Sequence, residues 1–371
     1  MKRTQIKIFF FSLALSLIGM QQVLAQEGSV PNLENYRKPY AFVTTSDYET
    51  GFFATINVRS QSVTKYELEL SPDAVARTID GKIYVVNRFG QDNITVFSPQ
   101  NFTKPLIQFS TGNGSNPHDI VLASSNKAYV SLYEKGYLLV VDPTTGIELK
   151  RIDISSFADK DGVPEADRMV IVDGILYVAL QKLDRNNYFE PAGNGEILMI
   201  DTGSDTIIGS IVLSGANPYD IFYHQGMDRI VASEVGSFYD LTDGGIETVD
   251  PHTREASGFI LTESDLGGDI TEFAMTPFSG KGYIIVIDGA TYDNNTSVVS
   301  FDLERGEKPK DILAPKAGFI HSGIALGSGR LLVGDRNFAH PGIRIISVVT
   351  DREITTQPLD TGLPPNSITM Y

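Results

Sequence analysis

Cysteine is absent from all 371 residues. That removes disulfides, thiolate metal sites, thiol nucleophiles and a lipid-modified N-terminal cysteine together, so the chain is not read as a lipoprotein. Tryptophan is absent too, and histidine occurs only five times. After the first 25 residues no stretch is apolar for long enough to span a bilayer. G-x-S-x-G, HExxH, the P-loop and EF-hand spacing are all missing, as is any haem, nucleotide or quinone motif. Positive charge is the scarce sign: 30 Lys and Arg stand against 46 Asp and Glu. Such a balance argues against nucleic acid and anionic membrane as partners, although acidity is also an ordinary device for solubility.

The N-terminus is built differently from the rest. MKRTQIK is a basic start, IFFFSLALSLIGM an apolar core, and Val23, Leu24 and Ala25 a small-residue cleavage site. This is the pattern of a secretory signal. Residues 1–25 are therefore expected to be a signal peptide cleaved before Gln26, and the protein to be periplasmic or secreted, with no membrane span after cleavage. Losing Lys2, Arg3 and Lys7 leaves 27 basic against 46 acidic residues, a balance of −19. An exported chain without disulfides must rely on a large core, which this length can supply.

What is present is repetition. Asn116 to Ser155 reads as four short apolar strands cut by turns: Ile120–Ser124, Ala128–Leu132, Leu138–Asp142 and Lys150–Ile154. Runs of β-formers bounded by Asn, Asp, Gly, Pro and Ser are strands joined as hairpins. Aligned on the second strand, seven copies appear: AFVTT, IYVVN, AYVSL, LYVAL, RIVAS, GYIIVI and LLVGD. Asp119 to Tyr129, Asp167 to Tyr177 and Asp220 to Ile230 are each ten residues apart. Seven four-stranded units define an all-β, seven-bladed β-propeller. After an extension at 26–39, the blades are expected at about 40–71 with 364–371, 73–111, 116–155, 166–214, 217–262, 268–314 and 319–360. The first unit has no strand of its own ahead of it, and PPNSITMY at the end matches the start of the third, NPHDIVLA. The C-terminal strand is therefore expected to become the innermost strand of blade 1, closing the ring and covering its edges.

The segments AYVSL…GYLLVVDPTTGIEL and IYVVNRFGQDNITVFS resemble the YVTN type of propeller repeat found in exported bacterial and archaeal surface proteins. The resemblance spans about residues 40–371 and implies a fold rather than an active site. WD repeats and quinone-dependent propeller dehydrogenases both lean on tryptophans that this chain lacks.

Loops sort by face. Turns after first and third strands are short and generic, and Asp142, Asp201, Asp250 and Asp302 there read as turn caps. The loops after second strands are longer and carry aromatic and charged residues: Tyr48, Arg88 and Phe89, Tyr133, then Arg185, Tyr188 and Phe189. Phe238 and Tyr239, Tyr292, and Arg336 and Phe338 complete them. Aromatic planes beside fixed charges suit a flat organic ligand, a sugar or a peptide. The same face receives the starts of the innermost strands, with His118, Asp119, Asp167, Arg168, Tyr219, Asp220, Glu272, His321 and Asn366 around the axis. Asp119, Asp167 and Asp220 read individually as acceptors for backbone amides, and His224, His252 and His340 as surface residues.

Three functions fit this pattern. The leading one is a non-enzymatic binding protein, monomeric, presenting this face to a small molecule, glycan or envelope protein. The second is a lactonase-like hydrolase or lyase, in which His118, His321 and Glu272 act with a divalent cation on the axis. Arg168 beside the axis opposes that cation. The third is an envelope or surface-layer scaffold.

Overall fold

The computed structural model describes residues 38–288, 294–305 and 307–371. The expected signal segment, residues 26–37 of the expected extension, and Tyr292 lie outside the described residues. Among the described residues, no helix is long and apolar enough to cross a membrane.

Seven antiparallel sheets form a ring, and in blades 2 to 7 the strands follow the chain from the axis outward. Blade 2 comprises Val75–Ile79, Lys82–Asn87, Asn93–Phe97 and Ile107–Ser110. Blade 3 comprises Pro117–Ser124, Lys127–Leu132, Tyr137–Val141 and Glu148–Asp153. Blade 4 comprises Ala166–Val172, Ile175–Leu180, Glu196–Asp201 and Thr206–Val212. Blade 5 runs Pro218–His224, Arg229–Glu234, Gly245–Asp250 and Glu255–Thr262. Blade 6 runs Gly268–Met275, Lys281–Asp288, Thr296–Asp302 and Glu307–Lys316. Blade 7 begins with His321–Gly327, Arg330–Asp335 and Gly342–Ser347, and its outer strand is split into Arg352–Glu353 and Leu359–Asp360.

Blade 1 takes its innermost strand, Pro365–Met370, from the C-terminus. That strand pairs with Tyr40–Ser46, which continues into Gly51–Asn57 and Ser62–Leu70. The closing register places Ala41 opposite Met370 and Thr44 opposite Ser367. Tyr371 N–H donates to the Tyr40 carbonyl at 2.8 Å and Tyr40 N–H to the Tyr371 carbonyl at 3.2 Å.

Second and third strands read as nearly continuous apolar runs because both of their faces are covered by neighbouring blades. Seven apolar clusters result, one at each junction between blades. Most junctions are aliphatic, such as that between blades 7 and 1 with Val43, Ile56, Leu332, Ile343 and Ile345. Between blades 1 and 2 the cluster is aromatic instead, holding Phe42, Phe53, Phe97 and Phe102. Each fully buried side chain of this size stabilises the fold by about 1.5–3 kcal/mol.

The tyrosine of the repeat also has a mechanical role. Tyr177 donates its hydroxyl to the Pro251 carbonyl at 3.0 Å, and Tyr283 donates to Asp351 at 2.6 Å. Tyr129 reaches Asp205 in the same way. In each case the acceptor lies in the turn after the third strand of the next blade. The turn aspartates cap as their position implies: Asp142 accepts from Thr144 N–H and Asp201 from Ser204 N–H, both at 2.8 Å.

Candidate functional site

The innermost strands line the axis, and the residues near their starts bring charge to it. Arg77 stands at a position that, by strand register, is Val121, Val170, Tyr223, Ala274, Ala325 and Thr369 in the other blades. Its Nε donates to Asp119 Oδ1 at 2.7 Å. The same oxygen accepts from Ile120 N–H at 3.0 Å, and Asp119 Oδ2 accepts from Met169 N–H of the next blade at 2.9 Å. Asp119 is thus the amide acceptor expected of it, and it also ties blade 3 to its neighbours. Burial opposes the charge on Arg77, but Asp119, Asp220 and Asp167 outweigh it and hold its pKa above the usual range.

Asp167 and Asp220 instead face side chains. Asp167 accepts from Gln181 Nε2 at 2.9 Å and lies 3.1 Å from His118 Nδ1. Arg168 Nε lies 3.7 Å from Asp220 and 4.0 Å from Asp167, and its Nε and Nη1 are buried without a hydrogen-bond partner among the described residues. Burial pushes Asp220 well up and raises Glu272, the Gly323 and Ile324 amides opposing the rise at Glu272. These groups line an axial cavity of about 410 Å³ with Arg77, Asp119, Arg168, Asp220 and Glu272 on its polar side. Val170, Ile221, Phe222, Ile324 and Ile368 form its apolar side.

Glu272 also borders a cleft of about 200 Å³ on the face of the long loops. Tyr48, Tyr219, Phe238 and Phe319 wall it, with His321 and Arg336 beside them. Arg336 lies over the Tyr48 ring at 4.9 Å and donates to Asn366 Oδ1 at 3.3 Å. His321 donates Nδ1–H to the Thr296 carbonyl at 2.9 Å, and burial lowers its pKa to about 4, so the ring is neutral. Its Nε2 is buried with no partner among the described residues.

Six aromatics of this face hold unusual backbone conformations. Tyr48, Phe89, Tyr188, Phe189, Tyr239 and Phe319 all have positive φ, from 32° to 75°. Bulky side chains rarely adopt that region, and such strain gathers at functional sites.

Other residues singled out from the sequence hold the loops in place. Arg88 donates to Asp73 Oδ1 at 2.6 Å and to the Asp73 carbonyl at 2.9 Å. Tyr133 stacks on His118 at 4.1 Å and donates to Gln181 Oε1 at 2.7 Å. Arg185 donates to Glu165 at 2.9 Å, to the Tyr133 carbonyl at 3.2 Å and to Glu134, and lies over the Phe189 ring. Burial pushes Glu165 up to about 7. Tyr239 bonds Asn294 through its hydroxyl, and its N–H donates to Asp269. Phe89, Tyr188 and Phe338 are exposed at the rim, Phe338 with its ring 6.2 Å from that of Tyr48.

The axial carboxylates and histidines do not converge as metal ligands. Among the described residues, the one group of three that does is Asp159, Asp161 and Asp184 on the loop rim. There Asp161 already accepts from Arg185 N–H at 3.0 Å, with the guanidinium 3.6 Å away. His224 corrects the expectation of a surface residue. It is fully buried, because its ring reaches across to the Thr276 carbonyl at 2.6 Å in the next blade. His252 does lie at the surface, 2.9 Å from Asp228.

A second layer of acidic side chains sits under the blade 5 loop. Glu234, Glu247 and Glu263 are all fully buried, and no Lys or Arg pairs with them among the described residues. Gly215 N–H donates to Glu234 and Ser214 N–H to Glu247, both at 2.6 Å, and Ile270 N–H donates to Glu263 at 2.9 Å. Gly244 is required here, since a Cβ on it would lie 2.4 Å from the Glu263 carboxyl carbon. Burial, with Glu247 alongside, pushes Glu234 up to about 10, and burial pushes Glu263 up to about 9.

No family model matches the sequence, and no curated protein matches it. Solved structures do. A functionally unknown protein from Desulfotomaculum acetoxidans DSM 771 superposes with a TM-score of 0.59 at 10% identity, over 89% of this chain and 98% of that one. The dihydro-heme d1 dehydrogenase NirN in complex with DHE gives 0.57 at 15% identity, over 93% and 78%. Apo AztD from Citrobacter koseri gives 0.55 at 10% identity, over 89% and 98%. At these identities the likeness establishes the class, a β-propeller, and nothing of the chemistry.

Proposed function

We propose that this chain is an exported, YVTN-like propeller that binds a small molecule on the face of its long loops. One observation carries the reading: the aromatic cleft and the charged axial cavity share Glu272. A single ligand can therefore lay a flat body between the rings, turn a hydrogen-bond donor to Glu272 and an acceptor to Arg336. The cleft's volume of about 200 Å³ equals the share of roughly six or seven waters at about 30 Å³ each, enough for one ring with substituents. A glycan chain or a protein surface would not fit inside it, which favours the small molecule over those partners. Positive φ at two of the four rings that wall the cleft, Tyr48 and Phe319, supports a built site rather than loose covering of blade ends. Arg77 and Arg168 stand where a divalent axial cation would be repelled, and His118 is committed to Tyr133 and Asp167, so hydrolysis is not the favoured reading.

A thermal-shift screen of the purified chain against small aromatic acids, amines and amino alcohols tests this. A compound class should raise Tm for the native chain and lose its effect in both Arg336→Ala and Glu272→Gln. If no compound raises Tm, or if shifts survive both substitutions, the site assignment fails.

A further inference from the structure

The opposite face carries a second site of different chemistry. A groove of about 350 Å³ opens where the ring closes, between blades 1 and 2. Its aromatic lining is Tyr40, Tyr66, Phe102 and Tyr371. These rings are the outer end of the aromatic junction below. Phe53 stacks on Phe42 and on Tyr66 at 4.7 Å each, Tyr66 meets Phe102 edge-on at 5.7 Å, and Tyr371 stacks on Tyr40 at 5.5 Å. The rings are held by one another, so their planes are fixed before any ligand arrives.

The rest of the lining, apart from Pro99, is hydroxyl and amide. Ser62, Thr64 and Tyr66 alternate along the outermost strand of blade 1, while Lys65 between them turns away to bond Asp360 at 2.7 Å. Asn57 Oδ1 accepts from Arg59 and Ser60 N–H at 3.0 Å, which leaves its Nδ2 as a fixed donor. Asn101 is set the same way, its Oδ1 accepting from Thr103 N–H at 2.9 Å and Oγ1 at 2.7 Å. None of the twelve lining residues carries a charged side chain. Charged residues make up 20% of the chain, so a lining of that size drawn at random would hold two or three.

From this geometry we infer that the groove is a binding site for a neutral carbohydrate. A sugar ring has an apolar C–H face that packs on aromatic planes and a rim of hydroxyls that donate and accept. Side chains that are uncharged but rich in hydroxyls and amides match that rim, whereas an anionic ligand would be desolvated there with no cationic side chain to meet it. Nucleotides are disfavoured on the same ground, because no cation awaits a phosphate. The volume takes a short oligosaccharide segment lying along the blade junction. This site is separate from the loop-face cleft and does not depend on it.

Isothermal titration of the purified chain with laminarihexaose, maltohexaose and N-acetylchitohexaose tests the inference. At least one should bind, and Tyr40→Ala and Thr64→Glu should each weaken binding tenfold or more. Thr64 is exposed, so its variant should keep the native melting curve. Arg336→Ala, on the other face, should leave the affinity unchanged. Absence of binding by all three sugars, or binding that ignores both groove variants, overturns the assignment. So does binding lost on Arg336→Ala.

Discussion

The loop face and the groove opposite it are assembled from one ring yet differ in kind. Around the axis, strand starts from several blades converge, and convergence concentrates charge: Arg77, Arg168, Asp119, Asp220 and Glu272 share one cavity. Between blades 1 and 2, only two blades meet, and the lining side chains, Pro99 apart, are aromatic or hydroxyl- and amide-bearing, none of them charged. The closing strand joins the two regions, since Ser367 and Ile368 line the axial cavity and Tyr371 lines the groove. Buried charge demands that every partner be in place, so the axial region should be brittle and sensitive to pH. Stacked rings tolerate loss of one member, so the groove should be neither.

The largest effect should come from the strand the two regions share. Deleting 364–371 removes the innermost strand of blade 1 and opens the ring at Tyr40–Ser46. Cooperative thermal unfolding, followed by circular dichroism, should disappear rather than shift. Next in size, Arg77→Met strands Asp119 in the axial wall without its cation. Removing one partner of a buried pair costs about 3–5 kcal/mol. Urea denaturation should show that loss, with partial recovery when Asp119→Asn is added. An equal loss from Tyr40→Ala would break the contrast between the regions.

A smaller effect should appear with pH. Glu234 is held neutral in the fold, with its pKa raised to about 10. A carboxyl raised in the folded state binds more protons there than in the unfolded chain, so stability falls as pH rises. The loss should begin above the ordinary Glu range near 4.5 and run on toward 10. Melting between pH 6 and pH 9 should therefore show a falling Tm, and Glu234→Gln should flatten it. A Tm that rises over this window would contradict the neutral assignment.

Much of the fold was legible because its period is written in the second strands, and the unmatched end PPNSITMY pointed to closure. Asp119 was legible as an amide acceptor from its position alone. Arg77 was not, because a single Arg in VARTI looks like an ordinary solvated strand residue. Comparing the residue paired with this second-strand position across the blades exposes it, since none of the other six places a charged side chain there. Phe319 carries no such signal in the sequence, and it reaches the cleft because the chain turns through positive φ just before blade 7. His224 misled because alternation alone says nothing of a neighbouring blade offering carbonyls to its ring. The groove was hidden for a related reason. Turns after third strands read as generic, and only the length of SPQNFTKPL in blade 2 hinted that one was more. Arg88, Tyr133 and Arg185 were visible as charged and aromatic loop residues, but their use as braces depends on partners far away in sequence.

The most direct test of two chemically distinct surfaces is a crystallographic fragment screen of the purified chain with aromatic and saccharide fragments. Aromatic fragments with a donor and an acceptor should collect between Tyr48, Tyr219 and Phe238 with contacts to Glu272, and saccharide fragments against Tyr40 and Tyr66. Fragments of both kinds sharing one site, or scattered with neither region occupied, would contradict the account.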